Sequence, residues 1–94
     1  MDKKEILTFL RENKSLLQTR FHVEKIGLFG SFATETATAK SDVDILVSMP
    51  SSFDDYYGLK EFLESHLKRN VDLGLEKTLR HRIKQEIQKE IIYA

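Results

Sequence analysis

Residues 23–47 read VEKIGLFGSFATETATAKSDVDILV and contain two short apolar runs, residues 26–29 and 43–47, separated by a polar linker. Both runs are rich in Ile, Leu, Val and Phe and are bounded by turn-type residues, so each predicts a β-strand. The first run leads directly into Gly30 and Ser31, a pair that is typical of a strand-to-helix turn. The stretch therefore predicts two strands, with a Gly-Ser turn at the end of the first.

Three aspartates lie in or beside the predicted strands. Asp42 and Asp44 stand two residues apart at the start of the second strand, so their side chains are expected on the same face. Asp72 lies within a third apolar run, residues 71–75, and would join them if the second and third strands pair. Two carboxylates about 6 Å apart repel by roughly 3 kcal/mol at an effective dielectric of 20. Such a cluster requires a cation, a raised pKa or open solvent.

The turn and the carboxylates together indicate metal-dependent phosphate chemistry. Mg²⁺ favours hard oxygen ligands and commonly takes one or two carboxylates together with substrate phosphates. Gly30 lets the backbone approach an anion closely, and Ser31 adds a hydroxyl donor at a predicted helix start. Each feature alone has an ordinary structural explanation, since Gly and Ser are common in turns and Asp at a strand start can bond to nearby backbone. Their combination favours the functional interpretation.

The composition predicts one small domain spanning residues 1–94. Fifteen basic and fifteen acidic residues give a formal net charge of zero. Bulk charge therefore gives no reason to expect direct nucleic-acid binding, and it leaves association with a partner or a second copy open. The absence of Cys excludes a disulfide framework and thiolate metal sites. No apolar run approaches the ~18 residues of a membrane span, and the first residues show no secretory pattern, so a cytoplasmic location is expected.

The remaining segments predict helices. Apolar residues at helical spacing predict a first helix over residues 2–19 and a last one over residues 79–91. Another helix is predicted to begin at Ser51 or Ser52 and to end at Lys68-Arg69-Asn70, and a short helix follows the Gly-Ser turn. The predicted order is α-β-α-β-α-β-α. The expected fold class is α/β (α+β), a small mixed β-sheet with helices packed on one face.

Gly30 and Ser31, ten further residues and then Asp42-x-Asp44 form a pattern that resembles the signature of the DNA polymerase β-like nucleotidyltransferase superfamily. The text GSFATETATAKSDVDILV is most similar to the minimal nucleotidyltransferases, small prokaryotic proteins that are often encoded beside a HEPN-domain protein. The similarity extends to VDLGLE around Asp72 and to the final EIIYA. The resemblance implies the nucleotidyltransferase fold over the whole chain.

The resemblance also implies an activity and its residues. The family transfers AMP from ATP to a protein hydroxyl in a Mg²⁺-dependent reaction, and in that setting the enzyme acts as the antitoxin of a HEPN toxin. It implies that Asp42 and Asp44 hold two Mg²⁺ ions. It further implies that Asp72 completes the site of the catalytic ion and accepts the proton of the acceptor hydroxyl. Gly30 and Ser31 would hold the β- and γ-phosphates of the leaving pyrophosphate.

Two positions depart from the family pattern. Thr34 and Glu35 stand where the family commonly has Arg and then Gly. An Arg there would help to hold phosphates, and the charge of Glu35 weakens nucleotide binding unless its side chain faces away. Two alternatives therefore stay open. One is a binding module that neutralises its partner by contact alone, and the other is a small-molecule transferase of the aminoglycoside nucleotidyltransferase kind.

Overall fold

Four strands build one mixed sheet in a computed structural model that describes residues 1–94. The strands are β1 (Lys25–Phe29), β2 (Val43–Ser48), β3 (Val71–Leu75) and β4 (Ile92–Tyr93). Their order across the sheet is β3-β2-β1-β4. β1 runs antiparallel to both β2 and β4, whereas β2 and β3 are parallel. The three strands predicted from apolar runs are confirmed, and β3 has the predicted bounds.

Five helices accompany the strands: two precede β1, and one lies in each connection between consecutive strands. They are α1 (Lys3–Glu12), α2 (Lys14–Phe21), α3 (Gly30–Ala33), α4 (Phe53–Leu67) and α5 (His81–Gln88), and a 3₁₀ turn covers Glu76–Thr78. None of these helices is both long and apolar enough to cross a bilayer.

One face of the sheet packs against α1, α2 and α4 to form the core. Alternation along each strand directs every second side chain to this face, and the helices supply apolar residues at intervals of three or four. Each fully buried Leu or Ile contributes roughly 1.5–3 kcal/mol relative to exposure. The buried core residues of the strands and these three helices are Ile6, Leu7, Leu10, Leu17, Phe21, Ile26, Leu28, Val43, Ile45, Val47, Leu59, Leu63, Leu67, Val71 and Leu73. The predicted mixed sheet with helices on one face is confirmed.

Side-chain caps fix where two of the helices begin. Asp2 accepts a hydrogen bond from Glu5 N at 2.9 Å, which satisfies a free N–H in the first turn of α1. Ser52 accepts one from Asp55 N at 3.2 Å at the start of α4. Ser52, rather than Ser51, is therefore the cap of this helix.

The helix predicted over residues 2–19 is instead two helices that meet at Asn13. The Asn13 side chain donates to Phe9 O at 2.9 Å, and its backbone has φ −103° and ψ 10°. An Asn side chain that bonds to nearby backbone competes with the helical pattern, which explains the break at this position. α2 then continues to Phe21 and ends in a left-handed residue, His22.

The last helix is shorter than predicted, and a fourth strand follows it. α5 ends at Gln88, and Ile92–Tyr93 pairs with the edge of β1. Ala94 N also donates to Ile26 O at 2.9 Å. β-branched and aromatic residues favour a strand where an unpaired edge is available. The C-terminal segment therefore extends the sheet at the edge of β1.

Candidate active site

The parallel pairing of β2 and β3 brings two of the three aspartates side by side. Asp44 and Asp72 are register partners on adjacent strands. Asp42 lies just before β2, exposed to solvent. The structure thus brings Asp44 and Asp72 together as the sequence predicts and leaves Asp42 at the rim of the pair.

The surroundings of Asp44 disfavour its charge. Burial raises the pKa of Asp44 from its ordinary value of 3.8 to about 6, and the charges of Asp72, Asp42 and Glu90 act in the same direction. A protonated Asp44 can also donate a hydrogen bond to the Asp72 carboxylate, which favours the protonated form further. A raised pKa of Asp44 and the solvent exposure of Asp42 and Asp72 are thus two of the forms of relief that the sequence leaves open.

Gly30 begins the turn that faces Asp44. Phe29 is the register partner of Asp44 at the end of β1, so the next residue turns across the carboxylate. Gly30 has a φ of 72°, and a Cβ there would overlap Asp44 Oδ2 and lie 2.8 Å from Cγ. Its N–H donates to Glu90 Oε1 at 2.9 Å. Only glycine fits this position without displacing the carboxylate.

The two residues that depart from the family pattern have defined structural roles. The Thr34 hydroxyl donates to Gly30 O at 3.2 Å and closes the end of α3. Glu35 adopts a φ of 62°, a conformation that the family's glycine accepts more readily. Its carboxylate pairs with Lys3 Nζ of α1 at 3.0 Å, so the charge of Glu35 is directed to α1 and partly neutralised.

Arg69 holds the loop that leads to Asp42. Its guanidinium donates to Ala39 O at 3.1 Å and to Ser41 O at 3.3 Å. The same group lies 5.2 Å from the ring centroid of Phe32 on α3. The sequence indicated only a cation at the end of α4, because both acceptors are backbone atoms about thirty residues away.

A groove of about 1070 Å³ opens beside Asp42. Its charged lining is mixed, since it includes Lys40, Lys68 and Arg69 together with acidic residues. A ligand in this groove can therefore contact Asp42.

Tyr56 supports the site from α4. Its hydroxyl donates to Leu73 O on β3, next to Asp72. Burial raises the pKa of the Tyr56 hydroxyl, and the nearby Tyr57 and Asp72 raise it further. The sequence indicated packing as the main role of these aromatics, and the contact of Tyr56 with the strand backbone fits that role.

The carboxylates match the ligand preference of Mg²⁺ by type. Carboxylate oxygens are hard donors of the kind that this ion takes. The structure contains no group of three or more His, Cys, Asp or Glu side chains arranged to hold a metal ion. The donor set fits through Asp44 and Asp72, and Asp42 would need to turn toward this pair to become a third ligand.

Comparison with known proteins defines the class to which this fold and site belong. A family model described as a nucleotidyltransferase domain matches residues 3–94. The chain therefore belongs to the nucleotidyltransferase domain family, and within it to the minimal nucleotidyltransferases. The predicted resemblance and the predicted fold class are thus confirmed.

Particular relatives give the same result. The solved structure of a minimal nucleotidyltransferase superposes with a TM-score of 0.82 at 32% identity and covers 98% of this chain and 95% of that one. The protein adenylyltransferase MntA of Thermococcus cleftensis is 37% identical over 95% of this chain and 92% of its own length. A solved complex of a tri-AMPylated Shewanella oneidensis HEPN toxin with an MNT antitoxin also matches. Its TM-score is 0.61 at 25% identity, and it covers 89% of this chain and 68% of that one.

Proposed function

We propose that this protein transfers AMP from ATP to a hydroxyl group of a HEPN-domain partner and thereby acts as its antitoxin. The observation that carries the proposal is the pairing of Asp44 with Asp72 directly beside the turn at Gly30. Two relatives support it, since one is named a protein adenylyltransferase and the other is an antitoxin in complex with a tri-AMPylated HEPN toxin.

Asp42, Asp44 and Asp72 are the residues that would hold two Mg²⁺ ions. When bound, such ions supply charge stabilisation for the attacking and leaving oxygens of an in-line displacement. Positive charge at this point would also relieve the repulsion that raises the pKa of Asp44. The electrostatics of the unliganded chain therefore favour a cation here.

Asp72 is the proposed base, because its residue is exposed and an acceptor hydroxyl can approach it. As Asp72 takes the proton, the hydroxyl oxygen bonds to the α-phosphorus. The bond from that phosphorus to the oxygen that bridges to the β-phosphate breaks, and pyrophosphate leaves. Ser31 would hold the leaving group through its hydroxyl. Gly30 has no side chain, so it would let the phosphates approach the backbone closely. Its own N–H is not free to bind them, because it donates to Glu90.

The acceptor must come from another molecule in this proposal. The chain of 94 residues folds around a single sheet, which we interpret as one catalytic domain over residues 1–94. A partner that brings its own hydroxyl to the exposed rim near Asp72 removes the need for a separate substrate domain.

Transfer of label from ATP tests this proposal. The protein is mixed with the HEPN-domain product of a neighbouring gene, Mg²⁺ and ATP labelled at either the α- or the γ-phosphate. We expect label on the partner from α-labelled ATP only, because the γ-phosphate leaves with pyrophosphate. Label from the γ-phosphate would indicate a kinase, and a stable complex without label would favour neutralisation by contact alone.

ATP binding separates the same alternatives without a partner. If the site is used, binding should require Mg²⁺ and should be lost in Asp42→Asn, whereas a contact-only antitoxin needs neither. The ion pair of Glu35 with Lys3 weakens the argument for the contact-only alternative, because this charge is turned toward α1.

A further inference from the structure

A fourth carboxylate belongs to the site. Glu90 follows α5, and its Oε1 accepts a hydrogen bond from Gly30 N at 2.9 Å in a partly buried position. Its charge is one of those that raise the pKa of Asp44, so it lies within electrostatic range of that carboxyl group.

The sheet register explains how Glu90 reaches this position. Leu28 pairs with Ile92, and Gly27 pairs with Tyr93, in the antiparallel ladder between β1 and β4. The ladder ends at the Leu28–Ile92 pair, and Glu90 lies two residues before β4, in the turn that follows α5. Pairing of β4 with β1 therefore brings the turn that carries Glu90 close to the end of β1, where Gly30 begins α3.

The C-terminal segment is also held in place by packing. A Cβ at Gly27 would lie 2.8 Å from Ile91 Cγ1 and 3.0 Å from Tyr93 Cδ1, so both side chains lie tightly over the strand. The position of Glu90 is therefore fixed from its C-terminal side by β4 and from its N-terminal side by α5.

No cation neutralises Glu90. The four ion pairs of the chain join Lys3 to Glu35, His22 to Asp55, Lys84 to Glu76 and Lys89 to Glu86. The Glu90 carboxylate instead serves as a hydrogen-bond acceptor for a backbone N–H.

We propose that Glu90 is a positioning residue of the transferase site, whose carboxylate holds the N–H of Gly30 and so keeps the turn of Gly30 and Ser31 closed against Asp44. The inference rests on the proposed transfer reaction for its catalytic consequence, but not for the contact itself. The main rival is that Glu90 competes with a phosphate for this N–H and is displaced by ATP.

Three variants separate the two accounts. Glu90→Gln keeps an oxygen acceptor and removes the charge, whereas Glu90→Ala removes both. Glu86→Ala is the matched control, because Glu86 is an exposed residue near the end of α5, four positions before Glu90, and pairs only with Lys89. Thermal unfolding of each variant shows whether it remains folded at the assay temperature.

The first readout is amide hydrogen exchange of Gly30, which needs neither ATP nor a partner. The unsubstituted protein and Glu90→Gln should protect this amide, and Glu90→Ala should lose the protection while Leu28 in β1 stays protected. A Gly30 amide that remains equally protected in Glu90→Ala would overturn the proposal. Equal loss of protection in Glu90→Gln and Glu90→Ala would overturn it as well, because the acceptor would then not be what matters.

The second readout is the kinetics of AMP transfer to the partner. Removing a group that orients a catalytic ligand typically reduces activity by about 10–100-fold. We expect a fall of that size in kcat for Glu90→Ala with the KM for ATP nearly unchanged, near-normal kcat for Glu90→Gln, and no effect of Glu86→Ala. A lower KM for ATP in both Glu90 variants with kcat maintained would overturn the proposal and indicate competition with phosphate. If the unmodified protein transfers no AMP, the proposed function fails, while the exchange comparison still decides the role of Glu90.

Discussion

Gly30 is the residue at which the backbone conformation and the carboxylates meet. Its φ of 72° lies in the left-handed region, where a residue with a side chain is strained by about 1 kcal/mol or more. A Cβ would in addition overlap the carboxyl group of Asp44. Both penalties arise from a Cβ atom, so no residue other than glycine fits position 30 as long as Asp44 keeps its place.

Gly30→Ala should therefore impair both stability and transfer. We expect a loss of roughly 1–3 kcal/mol in the free energy of unfolding, measured by urea denaturation, and a loss of AMP transfer that exceeds the loss of folded protein. Gly74→Ala is the matched control in β3, because a Cβ there would lie 3.4 Å from Leu46 Cδ1, an ordinary contact. Equal behaviour of the two variants would contradict the role of the Gly30 turn.

Asp44 makes the stability of the protein depend on pH. Its pKa of about 6 lies above its ordinary value of 3.8, so between these values the folded state binds more protons than the unfolded state. Stability contributed by this group is therefore full below about pH 4, falls as the pH rises through the window, and is lost above about pH 6.

Asp44→Asn should remove this dependence. In the absence of metal ions, the variant should gain more stability relative to the original protein at pH 7.5 than at pH 4, because Asn never carries the unfavourable charge. Denaturation at both pH values measures the difference. Glu61→Gln, an exposed change in the middle of α4, should show no such pH-dependent gain. A gain for Asp44→Asn that is larger at pH 4 than at pH 7.5 would contradict the assigned cause.

At the level of elements, Arg69 joins three parts of the chain. It extends from the segment after α4, donates to the loop before β2, and stacks on Phe32 of α3. Through these contacts it limits how far the backbone beside Asp42 can move. A planar guanidinium can make both backbone bonds and the stacking contact at once, whereas an ammonium cannot.

Arg69→Ala and Arg69→Lys should both loosen the loop of residues 37–41. We expect faster amide exchange at Ser41 and at least tenfold weaker Mg²⁺-dependent ATP binding in both variants, because Lys lacks the planar group that stacks on Phe32 while Nη1 makes both backbone bonds. Lys68→Ala is the control, since that side chain lines the same groove without bonding to the loop. Full retention of binding in Arg69→Lys would show that charge alone suffices.

The strands were predictable because each is a short apolar run between turn residues, and the pairing of Asp44 with Asp72 follows once β2 and β3 are adjacent. The C-terminal strand was not, because Leu79, Ile83, Ile87 and Ile91 repeat every fourth residue and fit a helix equally well. Choosing between a longer last helix and a C-terminal strand requires knowing that one edge of β1 is unpaired. The break at Asn13 likewise depends on a side-chain bond that competes with the helix.

The site was predictable only in part, because some of its contacts join residues that are far apart in sequence. Gly30, Ser31, Asp42 and Asp44 lie close together in sequence and form a readable pattern. The contact between Gly30 and Glu90 joins residues sixty positions apart, and neither residue indicates the other. Only the knowledge that Ile92 and Tyr93 pair with β1 would have placed the preceding turn, and with it Glu90, near Gly30.

On the scale of the whole molecule, the two faces of the sheet differ in role. One face and three helices form the core, while the carboxylates lie at the other face beside the C-terminal segment. The formal net charge is zero, so long-range attraction would add little to the encounter with a partner. Recognition would then rest on local contacts around the exposed rim near Asp72.

The most direct test of the central claim is the intact mass of the HEPN-domain partner after incubation with this protein, ATP and Mg²⁺. The account predicts a gain of one or more AMP units on the partner. The gain should be absent with Asp44→Asn or after chelation of the metal. An unchanged partner mass, with a folded protein and a stable complex still formed, would contradict the claim that this site transfers nucleotides.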